Sequence, residues 1–186
     1  MIGYAICGSF CTHAASVEQL TRLTERGYEI QPIMSDITYT TDTRFGNALL
    51  LRSRVEDICG RPIIHTVTAA EPLGPKVALD ALIIAPCTGN TLAKMANGVT
   101  DTPVCMAAKA HLRTDRPLLI ALASNDAMSA NLKNIATLLA RKQVYFTPML
   151  QDDPVKKPHS LVADFERIPE ALEAALAGQQ LRKLFL

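Results

Sequence analysis

The chain has 186 residues, 48% of them apolar, with 19 basic against 18 acidic side chains and a formal net charge of +1. That length fits one domain with a sizeable core, and the balanced charge gives no reason to expect a nucleic acid or an anionic membrane as partner. Aromatic residues make up 5% and Trp is absent, which argues against a base-stacking platform for single strands.

Residues 2–7 form a short apolar run that ends at Gly8-Ser9 and reads as a buried strand. From Ala15, the apolar positions Val17, Leu20 and Leu23 recur at helical spacing until Gly27, which reads as a C-cap. Residues 28–34 are a second strand, followed by a polar segment over 35–43. Leu50, Leu51, Val55 and Ile58 mark a helix over 47–58 ending at Gly60, and 62–67 reads as a weaker strand. Residues 81–85 are the clearest buried strand, with Pro86 as its stop. A helix follows with Leu92, Met95, Ala96 and Val99 on one face, and 102–112 reads as another. Residues 117–123 are a continuous apolar strand. A helix over 128–141 carries Leu132, Ile135, Leu138 and Leu139 inside, and 144–149 is a last strand. A polar, Pro-containing loop over 150–160 precedes a closing helix within 166–178, strongest over 168–176.

Strands alternating with helices predict a parallel sheet covered on both faces. The expected fold class is α/β: a single three-layer Rossmann-like/flavodoxin-like domain spanning 1–186, with a central, mostly parallel sheet. In such a sheet, ligands sit beyond the carboxyl ends of the strands, near the switch in strand order. No apolar run reaches the roughly 18 residues of a membrane span, and residues 1–5 carry no basic leader, so a cytoplasmic protein is expected. Cys7, Cys11, Cys59, Cys87 and Cys105 are odd in number and lack CxxC spacing, so neither a disulfide framework nor a zinc site is expected.

Three strand ends carry residues suited to chemistry. The first runs Cys7-Gly8-Ser9-Phe10-Cys11-Thr12-His13. A small loop opening a helix offers free N–H groups and a positive dipole end, which suit a phosphate. Ser9 and Thr12 add hydroxyls, although a helix cap explains them equally well. GxGxxG and the Walker pattern are both absent. His13 either supports the loop or caps. The second strand ends at Met34-Ser35-Asp36, where Ser35 is a further phosphate ligand or a turn residue. The third and most specific segment follows the apolar run at 81–85, reading Pro86-Cys87-Thr88-Gly89-Asn90-Thr91-Leu92-Ala93 and closing at Asn97-Gly98. Cys87 lies near a helix N-terminus that would lower its pKa, which makes it the best reactive candidate, but no neighbouring base can be named for it and a packing thiol is the favoured reading.

This third segment resembles the Pro-Ala-Ser-Ala-Asn-Thr motif of the flavoproteins that include phosphopantothenoylcysteine decarboxylases and lantibiotic peptidyl-cysteine decarboxylases. Its Pro-Cys opening and Thr91-Leu92-Ala93 are also similar to the flavin prenyltransferases. The resemblance implies FMN, with its phosphate on Gly8, Ser9, Thr12 and Ser35 and its ring against Cys87, Thr88, Asn90 and Thr91. It further implies cofactor or ligand contacts from Asn125 and Met128, in a stretch where the decarboxylases carry Pro-x-Met-Asn-x-x-Met-Trp. Counting back from Pro86, Pro72 stands where the decarboxylases have a catalytic His, with His65 too far upstream; Ser124 stands where the prenyltransferases have an Arg.

The stretches at 71–76, 85–91, 107–113, 124–127 and 151–158 together resemble the B subunits of dipicolinate synthases. That resemblance implies a partner, the A subunit of the same synthase, which carries NADP. With it the chain would oxidise a dihydrodipicolinate-type dicarboxylate to dipicolinate during sporulation. It also implies homo-oligomers, as trimers or assemblies of trimers. A planar dianion needs cationic or N–H anchors, and the candidates are Lys76, Lys94, Lys109, His111, Arg113, Lys156 and Lys157. A scaffold protein with a vestigial phosphate pocket and a stand-alone FMN-dependent decarboxylase remain the alternatives.

Overall fold

Runs of apolar residues too short to be helices alternate with amphipathic segments, and the chain winds them around one sheet. The computed structural model describes residues 1–186. In order, the elements are β1 (Ile2–Ile6), α1 (His13–Glu25), β2 (Ile30–Met34), α2 (Asp36–Thr40), α3 (Ala48–Cys59), α4 (Val67–Ala70), β3 (Ala81–Cys87), α5 (Gly89–Ala96), α6 (Pro103–Leu112), β4 (Leu118–Ser124), α7 (Leu132–Leu139), β5 (Val144–Phe146), β6 (Met149–Leu150), β7 (Leu161–Ala163) and α8 (Ile168–Leu176). The sheet has seven strands in the order β2-β1-β3-β4-β7-β6, with β5 also beside β4. β2, β1, β3, β4 and β5 are mutually parallel, in a register that sets Ile6 against Met34, Ala5 against Ile84, and Ile84 against Ile120. β7 runs antiparallel to the end of β4 and to β6. This is a flavodoxin-like α/β fold.

Side chains of a strand alternate between faces, and here both faces are covered. Ala5, Ile33, Leu82, Ile84, Leu118 and Ile120 pack with α5, α6 and α7. Ile2, Tyr4, Ile6, Ile83 and Leu119 pack on the other face with α1, α3 and α8. That is why the central strands read as unbroken apolar runs. Tyr4 donates its hydroxyl to the Ser16 carbonyl at 2.8 Å, and Ser16 Oγ donates to the Ala85 carbonyl at 2.6 Å, so α1 is hydrogen-bonded to both β1 and β3. Gly60 ends α3 in the left-handed region at φ 61°, where Gly has no Cβ to strain.

Several elements differ from the expectations of the sequence. Segment 35–43 contains the short helix α2. Segment 62–67 is no strand: only Ile64 bridges to Ile33, and Thr66 then caps α4 by accepting from Ala69 N. Pro86 does not stop β3. It lies where the β3–β4 register shifts, so its missing N–H costs no ladder bond, and its carbonyl accepts from Cys7 N at 3.1 Å. Val99 lies beyond the end of α5 and is exposed, while α7 begins only at Leu132, itself exposed. Pro148 separates the expected last strand into β5 and β6, and β7 was not anticipated. Three residues of modest patterning carry little sequence signal; pairing with the end of β4 makes them a strand.

Candidate functional site

Because β2, β1, β3 and β4 are parallel neighbours, the loops after them converge on one edge of the sheet. The loop after β1 turns tightly. Ser9 N donates to the Cys7 carbonyl at 2.9 Å, and both Thr12 N and Thr12 Oγ1 donate to the Ser9 carbonyl, at 3.0 and 2.8 Å. The N–H groups of Phe10 and Cys11 are left without a backbone partner, as expected where a helix begins. His13 is buried with Nε2 2.8 Å from the Cys7 carbonyl. Desolvation holds its pKa below the usual histidine value, the bond to Cys7 opposing it. The ring is therefore neutral at pH 7 and donates from Nε2, clamping the loop. A cleft of about 240 Å³ opens beside the loop, lined by Phe10, His13, Thr38, Phe45 and Leu51.

Ser35 caps the entry to α2. Its N donates to the Ile6 carbonyl at 3.1 Å, and its Oγ lies 2.9 Å from Thr38 Oγ1. Hence Ser35 stands next to the first loop, as the register of β1 and β2 requires. The donor set here is hydroxyls and unpaired N–H groups at the start of a helix, which fits a phosphate. Gly8 is also needed sterically, since a Cβ there would lie 2.9 Å from Ile37 Cγ2.

After β3, Thr88 is the N-cap of α5. Its Oγ1 accepts from Thr91 N at 3.2 Å and donates to Thr91 Oγ1 at 3.1 Å, and Thr91 Oγ1 in turn lies 3.4 Å from Cys7 Sγ. These contacts bind the third loop to the first. Asn90 is exposed at the edge. Cys87 is a packing thiol and not a reactive one: its side chain is fully buried, and desolvation, with the nearby thiols of Cys7 and Cys105, pushes its pKa well above the ordinary value. The helix N-terminus does not lower it, because the sulfur sits in the core below the loop and not at its tip. Desolvation likewise pushes the Cys7 thiol up to about 12.

The end of β4 brings a network that sequence reasoning missed. Asp126 accepts from Ser124 Oγ at 2.5 Å and from Asn131 Nδ2 at 2.9 Å on each oxygen, and Asn131 Oδ1 accepts from Asn134 at 2.8 Å. The Ser124 bond, then the Asn131 bonds, hold the Asp126 carboxyl below the usual carboxylate range. Gly89 makes room for the network: a Cβ there would meet Asn131 Nδ2 at 2.6 Å and Asp126 Oδ1 at 2.8 Å. Asn125 is exposed and Met128 half-buried beside it. Met128 N donates to the His159 carbonyl at 2.9 Å, which brings the 150–160 loop to this edge. An Asp between Ser124 and Asn131 in a polar turn was the available signal; both partners are close in sequence, but the space that lets them meet comes from Gly89 on the loop after β3.

The expected cationic anchors do not converge. Lys109, His111 and Arg113 lie at the end of α6, which leads into the start of β4 at the opposite edge, and Lys76 likewise precedes β3. His111 is buried with Nε2 2.9 Å from the Pro117 carbonyl. Lys94 is paired with Asp101 at 2.8 Å. Lys157 pairs with Asp152 at 2.6 Å and lies within electrostatic reach of Cys11 in the first loop; Lys156 is its exposed neighbour. His65, judged too remote by counting, follows Ile64 beside β2 and stacks on Tyr39 at 3.8 Å between ring centres. The 15 residues between His65 and Ala81 leave the sheet as α4 and a turn, which sequence distance from Pro86 does not reveal.

No helix is long and apolar enough to cross a membrane. Comparison with known proteins matches residues 2–172 to the Flavoprotein family model. The chain is 42% identical to the B subunit of dipicolinate synthase from Bacillus subtilis (strain 168), over 100% of this chain and 92% of that protein. The crystal structure of the dipicolinate synthase B subunit from Bacillus halodurans C superposes with a TM-score of 0.91 at 43% identity, covering 100% of this chain and 95% of that one. AnUbiX in complex with FMN and dimethylallyl pyrophosphate shares the fold, with a TM-score of 0.64 at 21% identity over 79% of this chain and 76% of that one.

Proposed function

Since the chain belongs to the Flavoprotein family, we propose that it is the B subunit of a dipicolinate synthase. It works with an NADP-dependent partner, the synthase's A subunit, to oxidise a dihydrodipicolinate-type dicarboxylate to dipicolinate in the cytoplasm of a sporulating cell. It assembles with itself as a trimer or an assembly of trimers. The observation that carries this reading is the extent of the likeness: it runs over 100% of the chain at 42% identity, including the polar loop at 150–160 that lies against the candidate site.

In this reading FMN is held at the carboxyl edge. Gly8, Ser9, Thr12 and Ser35 take the phosphate, and Cys87 (through its backbone), Thr88, Asn90, Thr91, Asn125 and Met128 border the ring. A flavin bound there supplies a reversible hydride acceptor. The chain's own part is positional: His13 holds the first loop, Thr88 and Thr91 join the third loop to it, and Lys157 offers one cation to an anionic ligand. A second reading is favoured by the chemistry of the residues bordering the ring. Cys87 is the only titratable side chain among those six and it is kept protonated, which suits a protein that binds and shapes the site while the NADP-dependent partner carries the hydride transfer.

The deciding experiment is dipicolinate formation from NADP by the purified A subunit, with and without this chain and with and without FMN. Product only when the chain is present supports the synthase reading, and dependence on FMN separates flavin chemistry from scaffolding. Equal product in the absence of this chain overturns it.

A further inference from the structure

The Asp126 carboxylate is the one acidic side chain fixed by its neighbours at the carboxyl ends of β3 and β4. It has no Lys or Arg partner; hydrogen bonds from Ser124 at 2.5 Å and Asn131 at 2.9 Å hold it instead, and Asn131 and Asn134 behind it are buried. A carboxylate offers about four acceptor positions. Three are used here, and the side chain remains half-exposed on the face of the edge. Its lowered pKa makes it an acceptor at neutral pH, unable to give up a proton. A fixed negative charge here, on an edge whose other groups are mainly hydroxyls and free N–H groups and whose Lys157 is already paired with Asp152, repels an anion laid against it. It is compatible with an anionic ligand only where that ligand turns a donor toward it.

We propose that Asp126 is the acceptor for a ring N–H of the heterocycle bound at this edge. The proposal deepens, and rests on, the reading of the edge as a site for a flavin and a cyclic dicarboxylate. Both ligands can carry the same chemistry: the flavin pyrimidine ring has an N–H between two carbonyls, and a partly reduced pyridine dicarboxylate in its enamine form has a ring N–H between two carboxylates. In either case Asp126 fills the gap between two acceptors of the ligand and sets its rotation in the plane of the ring.

The test is equilibrium binding to the full chain in two arms. One compares FMN with 3-methyl-FMN, which lacks the pyrimidine N–H. The other compares piperidine-2,6-dicarboxylate with isophthalate, which has the same two carboxylates and no ring nitrogen. The expected result is a preference of about tenfold for the N–H-bearing member of one pair, the size of one charge-assisted hydrogen bond, falling to within about twofold in Asp126→Asn. The arm that responds names the source of the N–H. Ser124→Ala keeps the carboxylate and removes the main cause of its lowered pKa, so it retains the preference at pH 7 and loses it on acidification at a higher pH than the unsubstituted chain. An equal loss of affinity for both members of a pair in Asp126→Asn means a structural role and overturns the proposal. Binding of all four probes with no preference overturns it while leaving the site reading intact, and binding of none overturns both.

Discussion

His13 Nε2 lies 2.8 Å from the carbonyl oxygen of Cys7, so the first residue of α1 holds down the loop from which that helix starts. The bond uses a neutral imidazole, because burial depresses the His13 pKa. A second histidine, His111, is buried with its pKa lowered for the same reason. The unfolded chain binds protons at the ordinary histidine pKa of about 6.5, and the folded chain does so only at lower pH. Stability is therefore fully present above that value and is lost as pH falls through the lowered folded values. Urea unfolding between pH 7.5 and 5.5 should show this fall, and His13→Gln, whose amide donates without titrating, should flatten it. An unchanged slope in that variant refutes the role given to His13.

Gly89 stands where any side chain meets Asn131 and Asp126. Gly89→Ala should destabilise the fold by about 1–3 kcal/mol, in the range of overpacking, read as a shift of the urea midpoint. Flavin affinity should fall with it, because Asn90 and Thr91 follow directly. Full stability in Gly89→Ala contradicts the packing of the two loops.

Of the five thiols, Cys11 is exposed while Cys7, Cys87 and Cys105 are buried with pKa values pushed up by desolvation. Thiolate is the reactive form, so a disulfide reagent at pH 8 should label one cysteine quickly, and Cys11→Ser should abolish that phase. Since Cys11 contributes an unpaired N–H to the first loop, inorganic phosphate or FMN should slow the labelling. Protection by neither speaks against a phosphate at this loop.

Ser35 is buried, and its hydroxyl meets only Thr38. Ser35→Ala should weaken FMN binding by about 3- to 10-fold, the net worth of one hydrogen bond, with a thermal midpoint within a few degrees of the unsubstituted chain. Thr88→Ala should behave differently. Its Oγ1 caps α5 by accepting from Thr91 N, so a loss of about 1 kcal/mol in stability is expected, measurable by urea unfolding without any ligand.

Much of this architecture is written in local pattern. Apolar runs of five to seven residues at 2–6, 81–87 and 118–124 have nowhere to lie but inside a sheet covered on both faces. Gly27 and Gly60 mark helix ends by their tolerance of positive φ. Ser35, Thr88 and Thr102 stand where caps are needed, and the converging strand ends follow from parallel order alone. By itself, therefore, the sequence determined the fold class, the sheet edge at which the polar loops gather and the segments that form it, because short-range periodicity and backbone preference govern all three. The tertiary structure alone decided the rest. Whether Cys87 is reactive depends on the apolar side chains that desolvate it. Which cations share an edge depends on where each helix ends relative to the sheet. The place of His65 depends on a detour of the chain, and Asp126 has room for its network because of the missing side chain of Gly89 on the loop after β3. Each of these is set by desolvation or by contact between groups far apart in sequence, and neither leaves a periodic trace in the chain.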